Sequence, residues 1–89
     1  MGEELVVTAQ DTPNPNAAKF TLNRTIVAQS ATYRDAAAAP VLWAKELLAI
    51  AGVTQVFALN NFVTVNKTPD AEWGVIGPQI EHVLRRAFA

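Results

Sequence analysis

Apolar and polar positions alternate, then change period, several times along the chain. Leu5-Val6-Val7-Thr8-Ala9 is β-branched and apolar and reads as a strand. Ala18-Lys19-Phe20-Thr21-Leu22-Asn23 alternates, with Phe20 and Leu22 on one face and Lys19, Thr21 and Asn23 on the other, as in a half-buried strand. Ile26-Val27 and Ala31-Thr32-Tyr33 either continue this strand or form short edge pieces. From residue 40 the period lengthens. Trp43, Leu47 and Ile50, with Ala44, Leu48 and Ala51 alongside, make one helical stripe over residues 40–51. Pro40 suits the first turn of that helix, and Gly52 is placed as the residue that ends it.

The period then returns to two. Residues 55–59 and 62–67 read as a hairpin closed by Asn60-Asn61, because Asn tolerates positive φ. Phe62, Thr64 and Asn66 share one face of the second strand; Val63, Val65 and Lys67 share the other. A final stripe of Trp73, Ile76, Ile80, Val83, Leu84 and Phe88 predicts a helix over about residues 71–87, with Asp70 as its N-cap. Gly77-Pro78 interrupts the stripe and predicts a kink or a short turn feeding a second helix. The order is β-β-α-β-β-α. The expected fold is α+β, a two-layer sandwich of an antiparallel sheet with two helices packed on one face.

One segment fits neither period. Asp11-Thr12-Pro13-Asn14-Pro15-Asn16 carries two prolines and two asparagines. Proline fixes its own φ and biases the residue before it, and Asn bonds back to the local backbone, so this is a stiff loop.

Length and composition bound what such a fold does. At 89 residues and 9.6 kDa the chain makes one domain, 1–89, with enough core for two layers. Its 51% apolar and 17% charged content is that of a folded domain and not of a disordered segment. A net charge of −1 provides no basic stripe, which argues against nucleic acid as a partner. The chain contains no Cys, which removes disulfides, thiol nucleophiles and Cys-ligated clusters from its own chemistry. One His and scattered carboxylates make no zinc site. The acidic start lacks the basic and apolar pattern of a secretory signal, Met1-Gly2 lacks the Ser or Thr at position 6 of a myristoylation site, and no run is long enough to span a membrane. The expected location is cytoplasmic and the expected state monomeric.

Catalysis finds little support. The single Ser30 lies outside any nucleophile elbow, His82 sits in a helix without an obvious partner, and the four glycines form no phosphate loop. The reading is therefore non-enzymatic, with no catalytic residues, cofactor or metal. Trp43 and Trp73 both lie on apolar stripes and read as core anchors.

Two runs carry a resemblance. Thr12-Pro13-Asn14-Pro15-Asn16-Ala17-Ala18-Lys19-Phe20 closely resembles the opening signature of the N-terminal domain of Nfu/NifU-like iron–sulfur cluster scaffold proteins. Asn60-Asn61-Phe62-Val63-Thr64-Val65-Asn66-Lys67 resembles that family's hairpin, and Trp43 to Val53 its helix and following Gly-Val. The resemblance covers about residues 5–88. It implies the same α+β fold, and a second domain in full-length members whose Cys-x-x-Cys pair holds the cluster. This chain carries no such pair. What carries over is an accessory role through contact with a protein partner: a cluster scaffold, a cysteine desulfurase or a client apoprotein. The family's recognisable polar positions match Asn14, Asn16, Lys19, Asn61 and Lys67, which are the partner-binding candidates. The bland alternative makes the Thr-Pro-Asn-Pro-Asn run a rigid turn that fixes strand pairing. A wider alternative is a small interaction domain unrelated to cluster chemistry, binding through an edge strand or an apolar patch.

Overall fold

The computed structural model describes residues 4–89; the acidic start at residues 1–3 lies outside them. Strands β1 (Val7–Asp11), β2 (Ala17–Leu22) and β3 (Ala31–Tyr33) precede helix α1 (Leu42–Leu48). Strands β4 (Val53–Leu59) and β5 (Phe62–Lys67) and helix α2 (Trp73–Phe88) follow. All five strands form one antiparallel sheet in the order β1-β2-β5-β4-β3. The sheet therefore contains the expected order plus one short edge strand at 31–33, a stretch whose sequence pattern left two possibilities open.

Register decides which side chains share a face. Ala18 stands opposite Val65, and Phe20 opposite Val63. Val56 and Ala58 stand opposite the same two valines from the other side. These residues and Leu22 are buried, and the two helices cover them with Leu47, Ile76, Ile80, Val83 and Leu84. The alternation in β2 and β5 is the direct cause, since a period of two sends every second side chain into the core. The opposite face keeps Gln10, Lys19, Thr21, Phe57, Phe62 and Thr64.

The helices differ from expectation at their ends. Helix α1 begins only after Val41, whose backbone is extended (φ −113°, ψ 141°), and not at Pro40. It ends at Leu48, because shorter-range bonds from Ile50 N–H to Leu47 C=O and from Val53 N–H to Ile50 C=O tighten the chain out of the helix. Gly52 does lie at positive φ (99°), but in the turn entering β4 and not at the helix terminus itself. Helix α2 begins after Glu72, which makes no side-chain cap; Asp70 lies upstream in a turn closed by Ala71 N–H on Thr68 C=O. Pro78 sits inside one continuous α2. The carbonyl it leaves without an intrahelical donor is that of Gly74, an exposed residue where water can serve.

Ring contacts join the layers. Trp43 meets Tyr33 edge-on at 6.0 Å and Phe88 at 5.5 Å, so α1 is fixed to β3 and to the end of α2. Arg86 of α2 pairs with Glu46 of α1.

Candidate partner-binding site

The loop before β2 is built from its own side chains. Pro15 and Asn16 are the central residues of a β-turn closed by Ala17 N–H on Asn14 C=O at 3.0 Å. Asn60 is the only non-glycine residue at positive φ among the described residues, so Asn16 keeps negative φ and the turn is of the type I class. Asn14 at the first position and Pro15 at the second are what that turn favours. Asn14 Oδ1 accepts from Asn16 N–H at 2.9 Å. Thr12 Oγ1 accepts from Asn14 N–H at 3.2 Å, and its proton has the carbonyls of Asn14 (2.9 Å) and Ala17 (3.0 Å) within reach.

Two residues from the far end of the chain tie this loop down. Lys67 N–H donates to Asn16 C=O at 2.8 Å. Lys67 Nζ donates to Asn16 Oδ1 at 3.1 Å and to Thr68 C=O at 3.2 Å. Trp73 Nε1 donates to Pro15 C=O at 3.0 Å, and its ring lies 5.6 Å beneath the Lys67 ammonium and 6.5 Å from Phe20. Lys67 is only 9% exposed and makes no ion pair among the described residues. Its charge is met by two oxygens and an aromatic face, which is how a nearly buried ammonium avoids the cost of lost hydration. Asp70 lies just beyond. The Thr68 side-chain hydrogen bond and then its own backbone N–H hold its carboxyl below the ordinary 3.8; desolvation opposes them, and the charge of Lys67 adds the smallest contribution.

The five candidate residues thus fall into three places. Asn14, Asn16 and Lys67 meet at one end of the sheet, with Asn14 exposed and the other two turned into the network. Lys19 lies on the helix-free face, its Nζ 4.3 Å from the centre of the Phe62 ring, and Phe62 in turn contacts Phe57 at 6.2 Å. Asn61 is at the opposite end. Its Nδ2 donates to Leu22 C=O at 3.1 Å and its C=O accepts from Leu22 N–H at 2.7 Å, while Asn60 C=O holds Ile26 N–H at 2.7 Å. Thr12 and Trp73 belong to the loop network although neither was singled out for it. The signal lay in Trp73 itself, since a half-buried indole N–H seeks an acceptor and an irregular loop has carbonyls to offer.

Among the described residues no group of three or more His, Cys, Asp or Glu side chains is placed to hold a metal ion. His82 is exposed on α2 beside Pro78 and Gln79. No helix among the described residues is long and apolar enough to cross a membrane.

The family pattern described as scaffold protein Nfu/NifU N terminal matches residues 7–89. The chain belongs to the Nfu/NifU N-terminal family. It is 36% identical over 88 residues to the NFU1 iron-sulfur cluster scaffold homolog, mitochondrial, of Drosophila willistoni, covering 96% of this chain and 30% of that protein. It is 35% identical over 77 residues to Conserved virulence factor C of Staphylococcus aureus, covering 85% of this chain and 21% of that one. Among solved structures, protein SAV1430 of Staphylococcus aureus superposes with a TM-score of 0.79 at 28% identity, covering 92% of this chain and 99% of that one. A NifU-like protein of Saccharomyces cerevisiae shares the fold, with a TM-score of 0.80 at 24% identity over 96% of this chain and 81% of that one. The chain thus spans less than a third of the fly relative, and it carries no Cys-x-x-Cys motif. The expectation of a cytoplasmic location is corrected here: the Drosophila relatives are mitochondrial by name. A sequence start without a secretory pattern does not distinguish these compartments.

Proposed function

We propose that residues 1–89 act as one non-catalytic, protein-binding accessory domain in iron–sulfur cluster assembly. The observation that carries this reading is family membership over residues 7–89 in a chain without a single Cys. Thiolates are the ligands such clusters use, so cluster chemistry falls to another chain or segment, and recognition is the role left for this one. The partner belongs to the machinery that builds or receives clusters: a scaffold, a cysteine desulfurase or a client apoprotein. Asn14 on the exposed loop and Lys19 on the open sheet face supply polar contacts. Asn16, Asn61 and Lys67 act by holding the loop and hairpin in shape.

Biosensor titration of the immobilised chain with one purified member of each class tests the reading. One class is expected to bind, with Asn14→Ala and Lys19→Glu each weakening it about fivefold, the scale of one lost polar contact. Absence of binding by all three classes overturns it.

A further inference from the structure

Strand β1 has β2 on one side and, among the described residues, no strand on the other. Its register with β2 runs through five pairs without a bulge. The hydrogen-bond phase follows from two contacts. Asn23 N–H donates to Val6 C=O at 3.2 Å, which makes Val6 and Asn23 a bonded pair just before the strand. Bonded and non-bonded pairs alternate along an antiparallel ladder, so Thr8–Thr21 and Gln10–Lys19 are the next bonded pairs. The other side of β2 agrees, because Leu22 N–H points to Asn61 C=O, away from β1. Val7, Ala9 and Asp11 therefore turn their N–H and C=O groups outward.

Sheet edges are commonly blunted by charged side chains, Lys above all, by Pro, a bulge or a covering element, and the one charge of β1 is Asp11 at its end. The stretch Val7-Thr8-Ala9-Gln10 has none of the first three, and Thr8 to Asp11 are all exposed. The side chains of Val7, Ala9 and Asp11 face the helix layer, since they stand opposite Leu22, Phe20 and Ala18. Between them and α2 runs an open cleft of about 260 Å³ whose lining includes Ala9, Asp11, Trp73, Gly77, Pro78 and Glu81. A Cβ placed on Gly77 would meet nothing within 4 Å, so the helix wall recedes there. Trp73 and Pro78 make the wall apolar. Charge is polarised along the strand. Arg85 reaches Leu5 C=O at one end and is paired with Glu81 at 2.9 Å, whereas Asp11 at the other end has no cation among the described residues.

We propose that β1 is a docking edge for an extended segment of a partner protein, which adds as an outer strand with an apolar side chain opposite Ala9 and a Lys or Arg opposite Asp11. The inference rests on the partner-binding reading and specifies the form of the partner's contact. Backbone groups of Val7, Ala9 and Asp11 provide affinity, and the cleft with the Asp11 carboxylate provides choice of sequence. The apolar and basic residues lie two apart, because only alternate residues of an added strand face the cleft. A second copy of β1 does not meet this requirement, since Val7–Asp11 contains no cation.

The test titrates the isotopically labelled full chain with a short synthetic peptide alternating threonine with valine and bearing one lysine two positions from a valine. Amide shifts and slowed hydrogen exchange are expected at Val7, Ala9 and Asp11. Ala9→Pro removes only an outward N–H and leaves the β2 ladder intact, so it should weaken binding about tenfold. If that variant fails to fold, Asp11→Lys carries the test: it should weaken the lysine peptide and favour one with glutamate in its place. Shifts confined to Lys19, Phe57 and Phe62, no shifts at all, or a dimer by light scattering that Ala9→Pro dissolves would each overturn the proposal. A cluster-assembly partner that binds wild type and Ala9→Pro equally would overturn the edge and leave the proposed function standing. Peptide docking without any such partner would do the reverse.

Discussion

Lys67 Nζ and Asn16 Oδ1 lie 3.1 Å apart although 51 residues separate them in the chain. This contact joins the last residue of β5 to the turn that precedes β2, and it satisfies a nearly buried ammonium. Removing one partner of such a contact costs more than the bond itself, because the other is left desolvated. Asn16→Ala should therefore destabilise the chain by about 1–3 kcal/mol in urea unfolding. Lys67→Met keeps the apolar stem and removes the charge, and should cost less than Lys67→Ala. In the double variant of Asn16→Ala and Lys67→Met the losses should be less than additive. Additive losses would mean that the two side chains do not act as a pair.

Trp73 anchors the same loop from α2. Trp73→Phe keeps most of the ring surface and loses the N–H to Pro15 C=O. The expected cost is about 1 kcal/mol. Its distinguishing consequence is local, with hydrogen exchange at Asn16 and Ala17 faster than in wild type and the amides of β4 unchanged at matched stability. Uniform acceleration would show that the indole bond does not hold the loop.

Much of the fold was legible because its pattern is local. Phe20 with Leu22, and Val63 with Val65, announce which faces are buried, and Asn60-Asn61 announces the hairpin turn that Asn60 completes at φ 52°. Three residues at 31–33 are too few for alternation to decide between a continuation of the preceding strand and a separate edge piece; their pairing with β4 is a tertiary event. The C-terminal end of α1 depended on bonds around Leu47 and Ile50 rather than on its stripe. The candidate site was legible only as a set of residue types. Sequence pattern put Lys67 on the face of Val63 and Val65, but the partners of its ammonium come from positions 16 and 68 and the ring of Trp73. No periodicity reports contacts between segments that distant.

Gly52 is required for two reasons at once. Its φ of 99° is strained for any residue with a Cβ, and a Cβ there would come within 2.6 Å of Ala71 Cβ. Gly52→Ala should lower stability by at least about 2 kcal/mol, the sum of a backbone term and an overlap. Adding Ala71→Gly removes the overlap and should restore only part of the loss. Full restoration would mean that backbone strain at position 52 contributes nothing.

Asp70 makes stability depend on pH in one direction. Its folded-state carboxyl titrates below the ordinary 3.8, chiefly through the Thr68 side chain, so the folded state favours the ionised form. A depressed carboxyl contributes stability that is present above the unfolded value and is lost as pH falls through the folded one. Unfolding midpoints of wild type and Asp70→Asn should therefore differ most above about pH 5 and converge as the pH drops below the folded value. Thr68→Val removes the principal donor and should move the carboxyl titration, followed by NMR, back toward 3.8. An unchanged titration in that variant would assign the depression to the backbone N–H of Asp70 and the charge of Lys67 instead. The same variant bears on the loop, because Thr68 C=O is the second acceptor for Lys67 Nζ and stays in place when only the hydroxyl is removed. Loop exchange at Asn16 should then remain at its wild-type rate while the Asp70 titration shifts.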